Sequence, residues 1–221
     1  MNFLRKNWYY LGGVLCLALA VVVGFWGNHI APLRNILLLS FMALLVHQFE
    51  EYAYPGGFPP VFNIGWQREK EAPDRYPLNR MSCLCVNVLA AYPFYLFPVL
   101  FPNLIWLGLA QILFGVVGQL IAHGIVINLK LHSFYNPGLV SVLLLHVPIG
   151  VYYIRYVYAH GLIQPWDWVA GIACTVLAAL LVVGLPVWLF LDKNSPYPFD
   201  PQEMARFHVR EKLEKLAVKL A

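Results

Sequence analysis

What most constrains this sequence is the placement of its few charges. Six stretches, over residues 8–26, 33–54, 81–101, 103–129, 139–158 and 168–190, are apolar and almost uncharged. At ~1.5 Å per helical residue each reaches the ~30 Å of a bilayer's hydrocarbon core, where only a helix among open-chain structures satisfies its own backbone hydrogen bonds. The expected fold class is all-α, a polytopic membrane helix bundle of about six transmembrane helices. Composition agrees: hydrophobic residues are 60% and charged residues 12% of the chain, against roughly 45–50% and 25% in soluble domains. These values exclude a disordered chain and a nucleic-acid binder. The first stretch does not read as a cleaved signal peptide, since Gly24-Phe25-Trp26-Gly27 is a poor small-residue cleavage site.

Loop charge sets the expected orientation. With the N-terminus in the cytoplasm, 13 of the 15 Lys and Arg residues fall on that side, leaving only Arg34 and Arg155 opposite. Short cytoplasmic loops carry such an excess, so both termini are expected inside. Residues 1–192 form the expected membrane domain. Residues 193–221 form a basic amphipathic tail, suited to the cytoplasmic membrane surface or to a partner helix. A multi-pass protein of a bacterial inner membrane is the expected location. The 26-residue loop 55–80 is long enough to be an ordered cap or a lid. Cys16, Cys83, Cys85 and Cys174 read as small buried apolar residues.

A charge at the bilayer centre costs about 2.5 to 3.5 kcal/mol on the insertion scale, so intramembrane carboxylates mark candidate sites. The spans hold two, adjacent, in His47-Gln48-Phe49-Glu50-Glu51. At about 100° per residue, Glu50 lies roughly 60° to one side of His47 and Glu51 roughly 40° to the other. Carboxylates so close repel unless a cation sits between them, and a divalent metal is the natural one. His47 and Glu51, at i and i+4, form the expected ligand pair, with Glu50 as a further ligand or as the catalytic base.

Other helices supply more candidates. The fourth stretch carries Gln111, Gly115, Gln119 and His123 at i+4 spacing, a polar stripe expected to face the bundle interior. His132 follows it, and His146 lies in the fifth stretch. The expected metal ligands are therefore His47, Glu50, Glu51, His123, His132 and His146. Asn87, Gln119, Asn128, Tyr135 and Asn136 are the expected supporting polar residues, bonding neighbouring helices.

The motif His47-x-x-Glu50-Glu51 near the end of a membrane helix, followed by His123 and by Tyr135-Asn136-Pro137-Gly138-Leu139, resembles the HXXEE-domain family of membrane proteins. The resemblance covers about residues 36–190 and points to His47, Glu50 and Glu51 as a site without naming a reaction. From the residues themselves, the two carboxylates are too few for a di-iron centre of the soluble-bundle type. A divalent metal, with zinc ahead of iron, fits the ligand count. The expectation is a metal-dependent membrane enzyme acting on a lipid or other hydrophobic small molecule near the cytoplasmic leaflet, by hydrolysis ahead of oxidation. A metal-free acid/base lipid isomerase, and a proton- or cation-coupled transporter or binding protein, are the alternatives.

Overall fold

The structure is a computed structural model that describes residues 1–220; the side chains of Val218, Lys219 and Leu220, assigned above to the amphipathic tail, lie outside the described residues, as does Ala221. The described chain contains helices and turns and no strand. Six helices are long and apolar enough to cross a membrane: α1 (Asn2–His29), α2 (Pro32–Tyr52), α3 (Arg80–Leu100), α4 (Ile105–Leu131), α5 (Leu139–Ala159) and α6 (Pro165–Leu189). The expected six-span bundle is present, and most boundaries fall within a few residues of those read from the sequence. The largest difference is at α1, which starts at Asn2 because Arg5 and Lys6 continue the helix beyond the apolar stretch.

Local chemistry fixes the helix starts. Asn79 caps α3, its side chain accepting from the backbone N–H groups of Met81 and Ser82. Pro32 and Pro165 occupy first-turn positions, where a missing N–H costs nothing. α2 is regular throughout, whereas α3, α4, α5 and α6 each contain π-type turns, at Cys85–Ala90, Phe114–Gly118 with Leu120–Ile127, Val142–His146, and Ala179–Gly184. Such turns add residues to the helical repeat and recur at functional sites.

α2 is the axle of the bundle. More than half of its most apolar window is buried, 56%, against 6% for α1. Leu37, Leu109 and Tyr153 anchor the packing of α2, α4 and α5 at one end. Phe41, Leu45, Tyr95 and Val182 join α2 to α3 and α6. The other end is closed by the loop between α2 and α3, which is an ordered cap with helical residues 58–66. Asn63 organises it, donating to the carbonyls of Pro73 and Leu78 and accepting from the Leu78 N–H.

The start of α1 and the described part of the tail meet at this capped end. Lys6 meets Asp200 at 3.3 Å, and Arg80 pairs with Asp200 at 2.8 Å and with Glu203. Arg80 holds the Asp200 carboxyl below its ordinary range. The tail packs on its own bundle: Arg206 donates to the carbonyls of Tyr52 and Ala53, capping the end of α2, and Val209 is buried against Val61, Ile64, Ile127 and Leu131 of the cap and α4.

Candidate metal centre

The last turns of α2 bring His47 and Glu51 onto one face, and α4 delivers His123 to the same point. Glu51 Oε1 lies 3.6 Å from His47 Nε2 and 3.3 Å from His123 Nε2. All three residues are buried, and one ligand atom from each lies within 4.8 Å of the others. Ligand atoms about 2.0 to 2.2 Å from a tetrahedral zinc stand roughly 3.3 Å apart, and the two distances to Glu51 Oε1 are of that order. This buried group of two histidines and one carboxylate could hold a metal ion.

Hydrogen bonding fixes which face each imidazole turns inward. Asn136 donates through Nδ2 to the His123 carbonyl and to Asn128 Oδ1, each at 2.7 Å. Its Oδ1 therefore faces His123 Nδ1, at 2.6 Å, and can only accept. His47 Nδ1 lies 3.1 Å from the Gly138 carbonyl, another acceptor, and 3.0 Å from Ser141 Oγ. In the neutral form both rings thus carry their proton on Nδ1 and present a bare Nε2 lone pair to Glu51. His47 Nε2 has no hydrogen-bond partner. With both rings neutral, three acceptors converge in a buried space, an arrangement that is costly unless a metal cation or a shared proton occupies it. Metal-bound histidines have their second nitrogen held in this way.

Glu50 has a different environment from Glu51. Its Oε1 accepts from Tyr135 OH and the Val140 N–H, both at 3.1 Å, and its Oε2 from the Ser141 N–H at 2.8 Å and Ser141 Oγ at 2.6 Å. It is an anionic cap for the start of α5, where the unpaired N–H groups and positive end of the helix dipole favour a carboxylate. Burial and the adjacent Glu50 carboxylate push the Tyr135 phenol up.

The other candidates take distinct places. His146 is buried edge-on to His47, with ring centroids 5.7 Å apart, and its Nε2 is unpartnered. His132 is exposed at the end of α4, in the left-handed conformation with φ 47°, outside the cluster. Asn128 supports Asn136, and Asn87 ties α3 to α2 by accepting from Gln48 and donating to the Cys83 carbonyl. Along α4, Gln111, Gly115 and His123 are buried but Gln119 is only half-buried, because the π-type turns break the i+4 repeat.

Ser141, and the close approach that Gly138 permits, are not read from the sequence, where Gly138 stands only as part of the Tyr135–Leu139 segment. A Cβ on Gly138, whose φ is +106°, would stand 2.6 Å from His123 Cε1 and 2.8 Å from His47 Cε1. Only glycine lets the two rings close on the start of α5. The signal for Ser141 is a Gly immediately before an apolar span, with a Ser three residues on.

Glu51 and His123 also form part of the wall of a cavity of about 320 Å³. Its lining comes from the end of α2, from α3, α4 and α6 and from the cap, and is mostly apolar and aromatic, including Phe58, Phe62, Trp66, Phe114 and Val187.

The family described as "Protein of unknown function with HXXEE motif" matches residues 38–153, more than half of the chain. The chain belongs to the HXXEE family. The matched segment contains His47, Glu50, Glu51, His123, Asn136, Gly138, Ser141 and His146, so the HXXEE motif and every partner that orients it fall inside the match. No curated protein and no solved structure shows significant similarity to the chain.

Proposed function

We propose that this HXXEE protein is a metal-dependent membrane enzyme that hydrolyses a lipid-like substrate, with His47, Glu51 and His123 as the metal ligands. The observation that carries the reading is the inward-facing trio of acceptors, two histidine Nε2 atoms and a carboxylate oxygen, each imidazole held from behind through Nδ1. Two histidines with one glutamate is a donor set found in catalytic zinc hydrolases, and three protein ligands leave a coordination position free. His47, Glu51 and His123 would hold the ion, and zinc there would supply Lewis-acid chemistry, an activated water near neutral pH and a polarised carbonyl, as in metal-assisted hydrolysis. Iron is the second metal this donor set suits.

The roles of the protein groups follow from their contacts. Glu51 supplies the anionic ligand. Glu50, with both oxygens engaged by donors, positions the start of α5 and thereby Gly138 and Ser141 against His47. Asn136 and the Gly138 carbonyl keep the imidazole lone pairs inward. His146 supports the His47 ring. The apolar cavity on the other side of Glu51 and His123 supports a hydrophobic substrate drawn from the membrane. The capped end carries the start of α1, the described part of the tail and most of the basic residues, which supports a cytoplasmic assignment for it and a reaction near that leaflet.

The test is hydrolysis of a long-chain p-nitrophenyl ester in mixed micelles. Activity should disappear on chelation, return with added zinc, and be absent from Glu51→Gln. Hydrolysis that survives chelation would contradict the reading. Turnover of a double-bond isomer by chelated protein would instead favour the metal-free acid/base alternative, in which the trio shares a proton.

A further inference from the structure

We infer that the cavity beside the centre is a binding site for a single-chain amphiphile that enters sideways from the lipid, between α4 and α6. The inference deepens the hydrolase reading, on which it rests for the identity of the reactive end.

Where the cavity opens is decided by which of its lining residues are exposed. Phe58, Phe62, Trp66 and Leu78 of the cap are buried or half-buried, as are the lining residues of α2 and α3. The exposed ones are Gly118 on α4 and Ala179 and Val183 on α6. The mouth therefore faces outward in the apolar belt, flanked by exposed Val117, Ile121, Leu180 and Leu181. Helix packing explains the gap. α4 and α6 pack closely through Ile105–Leu113 and Pro165–Ala178, and no comparable packing joins their continuations toward the cap. Both helices carry π-type turns where they part. A Cβ on Gly118 would have no neighbour within 4 Å.

Polarity then sets the direction in which a ligand lies. Glu51 and His123 put the centre in the cavity wall, with Asn87, Gln119 and Thr175 as further polar lining, while Phe114, Ala179, Val183 and Val187 are apolar. A molecule with one polar head and one hydrocarbon chain satisfies both ends: the head reaches the centre and the chain runs back to the mouth. Sites of about 300 Å³ and upward hold small ligands, and a volume of about 320 Å³ is at the lower limit of that range, which favours one chain over two. A route from water is disfavoured by the cap, because aromatic side chains and the docked tail cover that side.

The experiment uses the full chain in liposomes with a monoacylglycerol carrying a mid-chain diazirine, a neutral probe that does not need the metal to offset Glu51. Irradiation and peptide mapping should place the label on residues 114–123 and 175–187. Gly118→Trp and Val183→Trp, at exposed positions on opposite sides of the mouth, should each cut that labelling by about tenfold or more, because a bulky ring fills the opening. Unfolding temperature reports whether each variant is folded, and two independent variants guard against one that is not. Label spread evenly over lipid-facing α1, or cavity labelling unchanged in both folded variants, would overturn the inference. Labelling retained in a His47→Ala protein that holds no metal would support the cavity assignment. Metal retained without cavity labelling would remove the amphiphile site alone and leave the metal reading standing.

Discussion

Glu50 and Glu51 are neighbours in sequence on the same buried turn of α2, yet the two faces they serve are built on opposite principles. On the Glu50 face, four donors from Tyr135, Val140 and Ser141 satisfy the carboxylate and lock α2 to the start of α5. On the Glu51 face, the carboxylate meets only imidazole nitrogens whose protons lie on the far side of each ring. A saturated buried anion is a structural fastener, whereas an acceptor facing other acceptors is poised for a cation. The difference teaches that placement of a carboxylate in an apolar helix does not by itself identify its task; the donors around it do.

The comparison breaks most sharply on the Glu51 face. His123→Ala should weaken zinc binding by more than the ~100-fold that losing an outer partner of a metal ligand can cost. A competition titration with a chromophoric chelator checks this. The fold should persist, because one buried acceptor is removed from a cluster of three.

On the Glu50 face the effect should appear in stability and not in metal stoichiometry. Glu50→Ala leaves the Val140 and Ser141 N–H groups and the Tyr135 hydroxyl without their acceptor, while the Ser141 hydroxyl keeps the Gly138 carbonyl; at about 1 to 3 kcal/mol for a buried group left unsatisfied, a total loss of ~2–4 kcal/mol is expected after partial relaxation. The readout is a lowered unfolding temperature in detergent, with metal content per folded chain unchanged. Asn136→Ala sharpens the link between the faces, since it removes the acceptor that orients His123 and should lower metal affinity by about 10- to 100-fold.

The smallest effect should lie away from both faces. The Asp200 carboxyl is held below its ordinary range by Arg80, so the pair stabilises the docked tail above the normal carboxylate pKa and loses that contribution as pH falls through the lowered value. Asp200 is half exposed, which limits the pair to under about 1 kcal/mol. An acid titration of unfolding temperature in Asp200→Asn should differ from the wild type only slightly, and only above that pKa.

Much of this was legible in the sequence, for physical reasons that also explain what was not. Lipid demands continuous apolar helices, so the six spans stand out from hydropathy alone. Among the six helices the least apolar one is the most buried: α2 has mean hydropathy 1.3 with 56% of its window buried, and α1 has 2.1 with 6%. His47 and Glu51 were recoverable because i and i+4 share a helix face. The division of labour between Glu50 and Glu51 was not, because it depends on which helix end lies opposite, and a sequence does not state that the N-terminus of α5 meets the end of α2. Gly138 and Ser141 matter through that same junction. The stripe on α4 was read with a uniform repeat, and the π-type turns turned Gln119 toward the cavity wall while leaving His123 at the centre. His132 lies beyond the last turn of α4, where helical spacing no longer predicts direction.

The most direct test of the account is the metal content of the purified protein, measured by elemental analysis beside two conservative variants. The account predicts a stoichiometric divalent metal, zinc foremost, in the wild type and in Glu50→Gln, and its loss in Glu51→Gln. A wild type that takes up no metal from zinc-replete buffer, or a Glu51→Gln variant that binds as much as the wild type, would contradict it.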